Sequence, residues 1–501
     1  MKQRPSLQPA AHTPWSAMPS IAFQAATLAL ALTLAGCASQ GPAHAPLAQL
    51  AATDLGLNGQ TGNTDTTADS TAFASGQWWT SLGDAQLNQL VTQALAGSPS
   101  LAASNARFDK AAALATASST ATDIHGTLSL DATRERYSAN GLFPPPLAGN
   151  IYNSSNLQAG LSWTPDFFGK HAAELESALG QARAAKADSA AAANQLAAQV
   201  ARSYVALARL IAQRDVARRT LGQRQSLLSL SEQRTRAGLD SQVELTQAQA
   251  GMPDAQTQLE MLDEQITLAR RTIAVLCAQA PDAQNALSPR LAGLRIQPVP
   301  QTLGADLLGR RPDVVAARWR VEAATQGIES AKADFYPDVN LTAFAGLNAL
   351  GLDNLFKASS RQLGVTPALR LPIFEGKRLR AQLRGRQADL DTAIAQYNGV
   401  VLDAVKQAGD AIASVQSLQR QQTLQNESLS KAERAYDFAV QRYQAGLGTQ
   451  ITVLNTETQL ITQRRLAVDL QSRELDTRIA LASALGGGWT DDTQALQIGA
   501  H

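Results

Sequence analysis

The phrase RTRAGLDSQVEL at 234–245 returns as RYQAGLGTQITV at 442–453, 208 residues later. Aligned without gaps, the two share Arg, Ala-Gly-Leu, a hydroxyl residue, Gln and then a β-branched apolar residue. Two further landmarks keep the same order. Ser98-Pro99-Ser100 corresponds to Arg311-Pro312-Asp313 at an offset of 213, and the segment Trp163 to Lys170 corresponds to Leu371 to Lys377 with Pro, Phe, Gly and Lys aligned at 207. Two copies of one supersecondary layout constrain the fold more than any other feature of the chain. The six-residue difference between the first two offsets falls where a loop absorbs it.

Each half reads helix, two short strands, long helix, breaker, helix. Pro99 and Pro312 suit a first helical turn, where the missing N–H costs nothing, and Asp313 complements the positive helix end. The strands alternate. Leu157, Ala159, Leu161 and Trp163 oppose Gln158, Gly160, Ser162 and Thr164; Val339, Leu341, Ala343 and Ala345 oppose Asn340, Thr342, Phe344 and Gly346. Residues 127–133 and 363–373 alternate less cleanly, and Pro367 argues against a central strand there.

The long helices carry a 4-3 spacing instead. Leu390, Ile394, Tyr397, Val401, Ala404, Ala408, Ala411, Val415 and Leu418 form one seam; Leu196, Val200, Ser203, Leu207 and Leu210 form its counterpart. This is knobs-into-holes packing, with Ala letting helices sit close. Aromatics are only 5% of the chain, thin for a compact core and normal for such helices. The segment from Gly376 to Gln444 spans on the order of 100 Å at 1.5 Å per residue, so it crosses a distance rather than wrapping a core. Ala237-Gly238 and Ala445-Gly446 end the longest helices, with Gly as left-handed cap and Ser241 and Thr449 placed to cap the next helix. Each phrase is therefore the turn between an outgoing helix and its return; the plainer alternative gives these surface turns no further role. Pro253 predicts a kink or an end in the first return helix.

The N-terminus has a basic start, Lys2 and Arg4, and an apolar run from Ile21 to Leu34. A spanning helix needs about 20 residues, so this shorter run reads as a signal peptide over 1–36. Leu34-Ala35-Gly36-Cys37 resembles a bacterial lipobox, whose Cys takes a diacylglycerol and an N-acyl chain. Ala38, rather than Asp, follows it, which by the same resemblance points to the outer membrane. Residues 37–77 read as a lipidated N-terminus and a linker rich in Thr, Gly, Asn and Asp. Cys277 then has no partner for a disulfide within the chain and reads as a packed apolar residue.

A transmembrane strand needs about 9–11 residues, and apolar faces set against Gln, Ser, Thr and Asn fit lipid outside and water inside. Four strands cannot close a barrel, and an open edge in lipid leaves backbone groups unsatisfied. Spanning strands would require several chains in one barrel. A short soluble sheet beside a helical bundle is the alternative.

The segment 310–341, RRPDVVAARWRVEAATQGIESAKADFYPDVNL, with WTPDFFGK, RYQAGLGTQITVL and the lipobox, resembles the TolC-like outer membrane factors, in the lipoprotein branch of the drug-efflux outer membrane proteins. The likeness runs from about Trp78 to Trp489. It implies a mainly α fold with membrane β: efflux repeats over 78–285 and 300–487, a tail over 488–501, and four strands per protomer completing a trimeric twelve-stranded barrel on a long helical barrel. It implies a passive outer membrane duct in a tripartite efflux system, with a periplasmic adaptor and an inner-membrane pump as partners. The tip turns, with Arg234, Gly238, Ser241, Arg442, Gly446 and Thr449, are the candidate adaptor contacts. Relatives often carry an acidic residue in a Leu-Asp-Ala-Gln stretch after the second turn; here Asn455 takes that position. Asn455 and Ile451, one turn earlier, are the gate candidates.

No catalytic set, phosphate loop or metal-ligand spacing emerges among His12, His44, His125, His171 and His501. Apart from the acyl chains no cofactor is expected, and a net charge of +1 gives no electrostatic case for nucleic acid. A lipid-anchored periplasmic helical-hairpin adaptor or scaffold is the alternative function. Two repeats with a strand pair in each argue against it.

Overall fold

A computed structural model describes residues 44–50, 76–294 and 310–490. Cys37 and the signal segment lie outside the described residues. In chain order the helices are α1 (Ala85–Gly97), α2 (Pro99–Ser119), α3 (Lys170–Arg236), α4 (Gln242–Leu276), α5 (Pro312–Ala333), α6 (Gly376–Gln444) and α7 (Gln450–Ala484). The strands are β1 (His125–Arg136), β2 (Ile151–Trp163), β3 (Asp338–Leu350) and β4 (Arg361–Arg370). The repeat is explicit: α2-β1-β2-α3-α4 is followed by α5-β3-β4-α6-α7, with α3 and α6 of 67 and 69 residues and both return helices of 35.

The chain divides into two units. The sheet unit comprises Thr120–Glu174 and Gly327–Ala388. Its four strands form one antiparallel sheet in the order β1-β2-β3-β4. They are longer than their alternating cores suggested, at 12, 13, 13 and 10 residues. Directly opposed residues share a face, and the register gathers like with like. Leu130 faces Leu157, which faces Leu347. Leu128, Ala159, Ala345 and Leu363 form the next row, and Leu161, Ala343 and Val365 another. The opposite face carries Ser129, Gln158, Gly346 and Gln362, then Asp131, Asn156 and Asn348. Gln362 Nε2 donates to Asn156 Oδ1 at 2.8 Å. Phe344 sits on this polar face between Gly160 and Gly364; a Cβ on Gly364 would meet the Phe344 ring at 2.7 Å. Pro367 lies in β4, an edge strand of the sheet, where a missing N–H is tolerated. The apolar rows are open: Leu128 is 77% and Leu363 83% exposed.

Among the described residues the helical unit comprises 46–50, 76–119, 175–294, 310–326 and 389–490. Nearly the whole 4-3 seam of α6 is buried, from Leu390 and Ile394 through Ala404 and Ala408 to Val415 and Leu418. The main core packs Trp78, Trp79, Leu87 and Val91 against Val200, Tyr204 and Leu207 of α3, Ile266 and Ile273 of α4, and Leu475 and Ile479 of α7. Each such side chain contributes about 1.5–3 kcal/mol on burial. Asp84 caps α1 through the Gln86 and Leu87 amides and accepts the Tyr204 hydroxyl at 2.8 Å. Arg311 explains one landmark of the repeat: its guanidinium pairs with Asp313 at 2.7 Å and donates to Gln407 and to the Ala484 carbonyl, fastening α5 to α6 and to the end of α7. Cys277 is buried, its thiol donating to the Leu90 carbonyl at 3.5 Å. Residues 47–50 lie on α6, where the Leu47 and Leu50 amides donate to Asp391 and Asn398.

Pro253 does not end its helix. α4 runs through it to Leu276. The ring removes one amide donor, and nearby the Gly251 carbonyl accepts Arg224 Nη1 at 2.8 Å.

Candidate functional site

The paired turns lie in the helical unit. α3 and α6 end alike, with Gly238 and Gly446 at φ of 67° and 75°, a left-handed conformation that costs glycine little. The Leu239 amide reaches back to the Arg234 carbonyl and the Gly238 amide to Thr235; Leu447 and Gly446 repeat this with Arg442 and Tyr443. Both are Schellman closures.

Beyond the glycines the copies diverge. Ser241 caps α4 in a capping box: its Oγ accepts from the Val243 amide, and its own amide donates to Glu244 at 2.8 Å. Thr449 occupies the same position before α7 without capping it. Its hydroxyl pairs with that of Thr452 at 3.0 Å instead. Asp240 in the first turn corresponds to Gly448 in the second. Arg234 holds Asp240 with two hydrogen bonds, at 3.0 and 3.1 Å, and gives a third to the Tyr443 carbonyl. The Tyr443 hydroxyl donates to Asp240 at 2.5 Å, and the guanidinium stacks over the Tyr443 ring at 4.6 Å. Gln450, buried, donates to the Glu244 carbonyl. The first turn is thereby fastened to the second. Among the described residues Arg442 has no such acid; it stays exposed and closes on the Leu447 carbonyl.

The electrostatics follow from these contacts. Burial acts to raise the Asp240 carboxyl, but the hydrogen bonds from Arg234 and Tyr443 outweigh it and hold it below the usual carboxylate range. Burial, together with Asp240, pushes the Tyr443 phenol up to about 12.

Of the gate candidates, Ile451 is 58% exposed and Asn455, one turn on, is exposed beside it. Val453, Glu457 and Leu460 face the protein interior. Glu457 pairs with Arg224 at 3.4 Å, and Arg224 also holds Asp254 at 2.8 Å. Burial raises the Glu457 carboxyl against the pull of Arg224. This junction joins α3, α4 and α7, and the sequence did not single it out. Asp240 and Tyr443 were also missed. The signal for them was the mismatch within the repeated phrase, where Asp faces Gly and Tyr faces Thr.

Among the described residues no three His, Cys, Asp or Glu side chains converge on a metal-sized site, and no helix is long and apolar enough to cross a membrane.

The model of the family described as outer membrane efflux protein matches residues 90–279 and 303–487. The chain belongs to this family. The fusaric acid resistance protein FusA of Burkholderia cepacia is 38% identical over 371 residues, 72% of this chain and 69% of that one. The multidrug resistance outer membrane protein MdtP of Shigella flexneri is 30% identical over 465 residues, 91% of this chain and 94% of that one. The crystal structure of the outer membrane protein VceC of Vibrio cholerae superposes with a TM-score of 0.79 at 34% identity, covering 83% of this chain and all of VceC. The chain is an outer membrane efflux channel component.

Proposed function

We propose that three copies of the chain form one passive export duct, anchored by lipid on Cys37 and docked at its tip turns to a periplasmic adaptor and an inner-membrane pump. The observation that carries this reading is the sheet. Its apolar rows are exposed and its two edges, β1 and β4, have no partner strand among the described residues. In hydrocarbon each unpaired backbone group costs several kcal/mol, so β4 of one copy pairs with β1 of the next. Two copies would give about eight strands, an interior that side chains fill. Three give twelve and leave a lumen lined by Ser129, Gln158, Asn156 and Thr342. The pump supplies the energy; the duct supplies a polar path whose selectivity is set by width and lining.

At the tip, Leu239 and Leu447 stand 66% and 70% exposed at repeat-related positions. They are the apolar contacts an adaptor covers, with Arg442, Ser241 and Thr449 at the rim. Arg234 acts from behind, holding the turns in register. Ile451 and Asn455 narrow the tip as a constriction of apolar and uncharged polar side chains. Leu47 is bonded to Asp391, ten residues after Cys37, so the lipid lies within about 35 Å of that point by chain reach. The fusaric acid and multidrug resistance named for the relatives support drugs or toxic small molecules as cargo.

Purified protein in planar bilayers should give single-channel conductance and migrate as a heat-dissociable trimer on unboiled gels. A monomer that never conducts would sink the reading. Labelling with radioactive palmitate should mark the wild type and not Cys37→Ser.

A further inference from the structure

The two repeats part company where their long helices begin. Residues 170–179 read KHAAELESAL, with one Lys and two Glu; residues 377–386 read KRLRAQLRGR, with five cations and no anion. These cations occupy the first turns of α6, the end where the helix field is already positive. Leu379 and Leu383 bury one side of this stretch. Lys377, Arg378 and Arg384 are exposed on the other side. Glu375, just before them in the chain, is held by Arg378 Nε at 2.8 Å.

What surrounds them is apolar and aromatic. Phe374 is 97% and Ile373 57% exposed just before the first cation. The strands are antiparallel, so the start of β1, the end of β2, the start of β3 and the end of β4 share one end of the sheet. At that end Phe167, Phe168 and Tyr336 are exposed, with Phe168 stacked on Tyr336 at 5.0 Å. All of these residues belong to the sheet unit. An aromatic band continuous with a lipid-facing sheet, bordered by a run of cations, matches the headgroup layer of a bilayer.

We propose that Lys377, Arg378 and Arg384 bind anionic phospholipid headgroups, phosphatidylglycerol or cardiolipin, in the periplasmic leaflet of the outer membrane. This rests on the sheet being part of a membrane barrel, as proposed above. Phe374 and Ile373 enter the acyl boundary, and the three cations reach the phosphates above it. The first repeat, with two Glu at the corresponding turn, does not take part. Each protomer therefore presents one anionic-lipid contact, so a three-copy barrel carries three.

The test uses the full purified protein in detergent, incubated with an equal mixture of phosphatidylglycerol and phosphatidylethanolamine, with co-purifying lipid counted by native mass spectrometry. Wild type should be enriched in phosphatidylglycerol, and the enrichment should fall with salt. At about 1 kcal/mol per cation near an anionic surface, each charge removed should weaken it about five-fold, so K377Q/R378Q/R384Q should abolish it. Lys406→Gln, farther along the same helix and paired with Asp410, should leave it intact. Equal retention of both lipids by wild type, or enrichment that survives the triple substitution, overturns the proposal. So does a triple variant that loses its oligomer rather than its lipid, because the cations would then serve a second copy. Conductance of the same samples separates the two readings: conducting protein without enrichment overturns this proposal alone, and protein that never conducts overturns the barrel as well.

Discussion

Asp240 shows how one side chain makes two near-identical turns unequal. Its carboxylate draws Arg234 and the Tyr443 hydroxyl together, so the first turn is bound to the second while Arg442 stays free of any acid in its own turn. Tyr443→Phe keeps the ring and removes only the hydroxyl. A hydrogen bond to a charged group contributes about 1.5–3 kcal/mol, so amide exchange across residues 234–245 should quicken on the order of ten- to a hundred-fold. Unchanged exchange would mean that the hydroxyl does not hold the tip. The pH dependence has a definite sign. Asp240 is depressed, so its stabilisation is complete above the ordinary carboxylate range and is lost as pH falls through the lower folded value. Asp476 behaves oppositely. Burial pushes its carboxyl up to about 6 against Arg202 and Arg209, and its Oδ1 has no hydrogen-bond partner among the described residues. The folded state then holds the proton more tightly, and stability falls as pH rises through the window between the ordinary value and about 6. Asp476→Asn should therefore raise the thermal midpoint at pH 7.5 and leave it unchanged at pH 4. The glycines, hydroxyls and arginines of both turns were legible in the sequence because capping is local. Their cross-connections were not, because Asp240 and Tyr443 meet only after two helices have returned to the same end.

At the level of elements the sequence was most transparent where a period runs long. The α6 seam is buried almost residue for residue as its spacing predicts, because a repeated apolar stripe has only one way to be covered. Of the two outcomes Pro253 allows, a kink or an end, α4 does not take the end. The one amide donor that Pro253 removes is not enough to end a 35-residue helix held by the bonds on either side of it. Thr449 departs from the capping role its position predicts. It stands at the cap position, but its hydroxyl turns to Thr452. Gly180 gave no warning at all. It lies within α3 where α5 passes, and an added Cβ would sit 2.9 Å from the Cβ of Ala323, beside the Ser177 to Ala323 hydrogen bond. Alanine in an open helix is about 1 kcal/mol better than glycine. Here the clash should reverse the sign, and Gly180→Ala should destabilise by about 1–3 kcal/mol, measured by denaturant midpoint. A neutral or stabilising result would show that α3 and α5 can separate at no cost.

For the molecule as a whole, the decisive property is that the four strands sort their side chains onto two faces of opposite character. The sheet was foreseeable from alternation alone. Its partner chains were not, since a strand edge says that it must be paired and not by how many. The face assignment can be tested at adjacent residues in the middle of β1. Leu130 lies in the apolar row with Leu157, and Ser129 in the polar row with Gln158. Arginine on the lipid side near the midplane costs about 2–4 kcal/mol per strand, and a ring repeats the cost in every copy. Leu130→Arg should therefore deplete the protein from the outer membrane fraction. Ser129→Arg points the same charge into water, so insertion should proceed normally while the reversal potential under a salt gradient moves toward anion preference. Because neighbouring residues on a strand face opposite ways, a sheet with its faces reversed would exchange the two outcomes. A sheet outside the membrane would show neither.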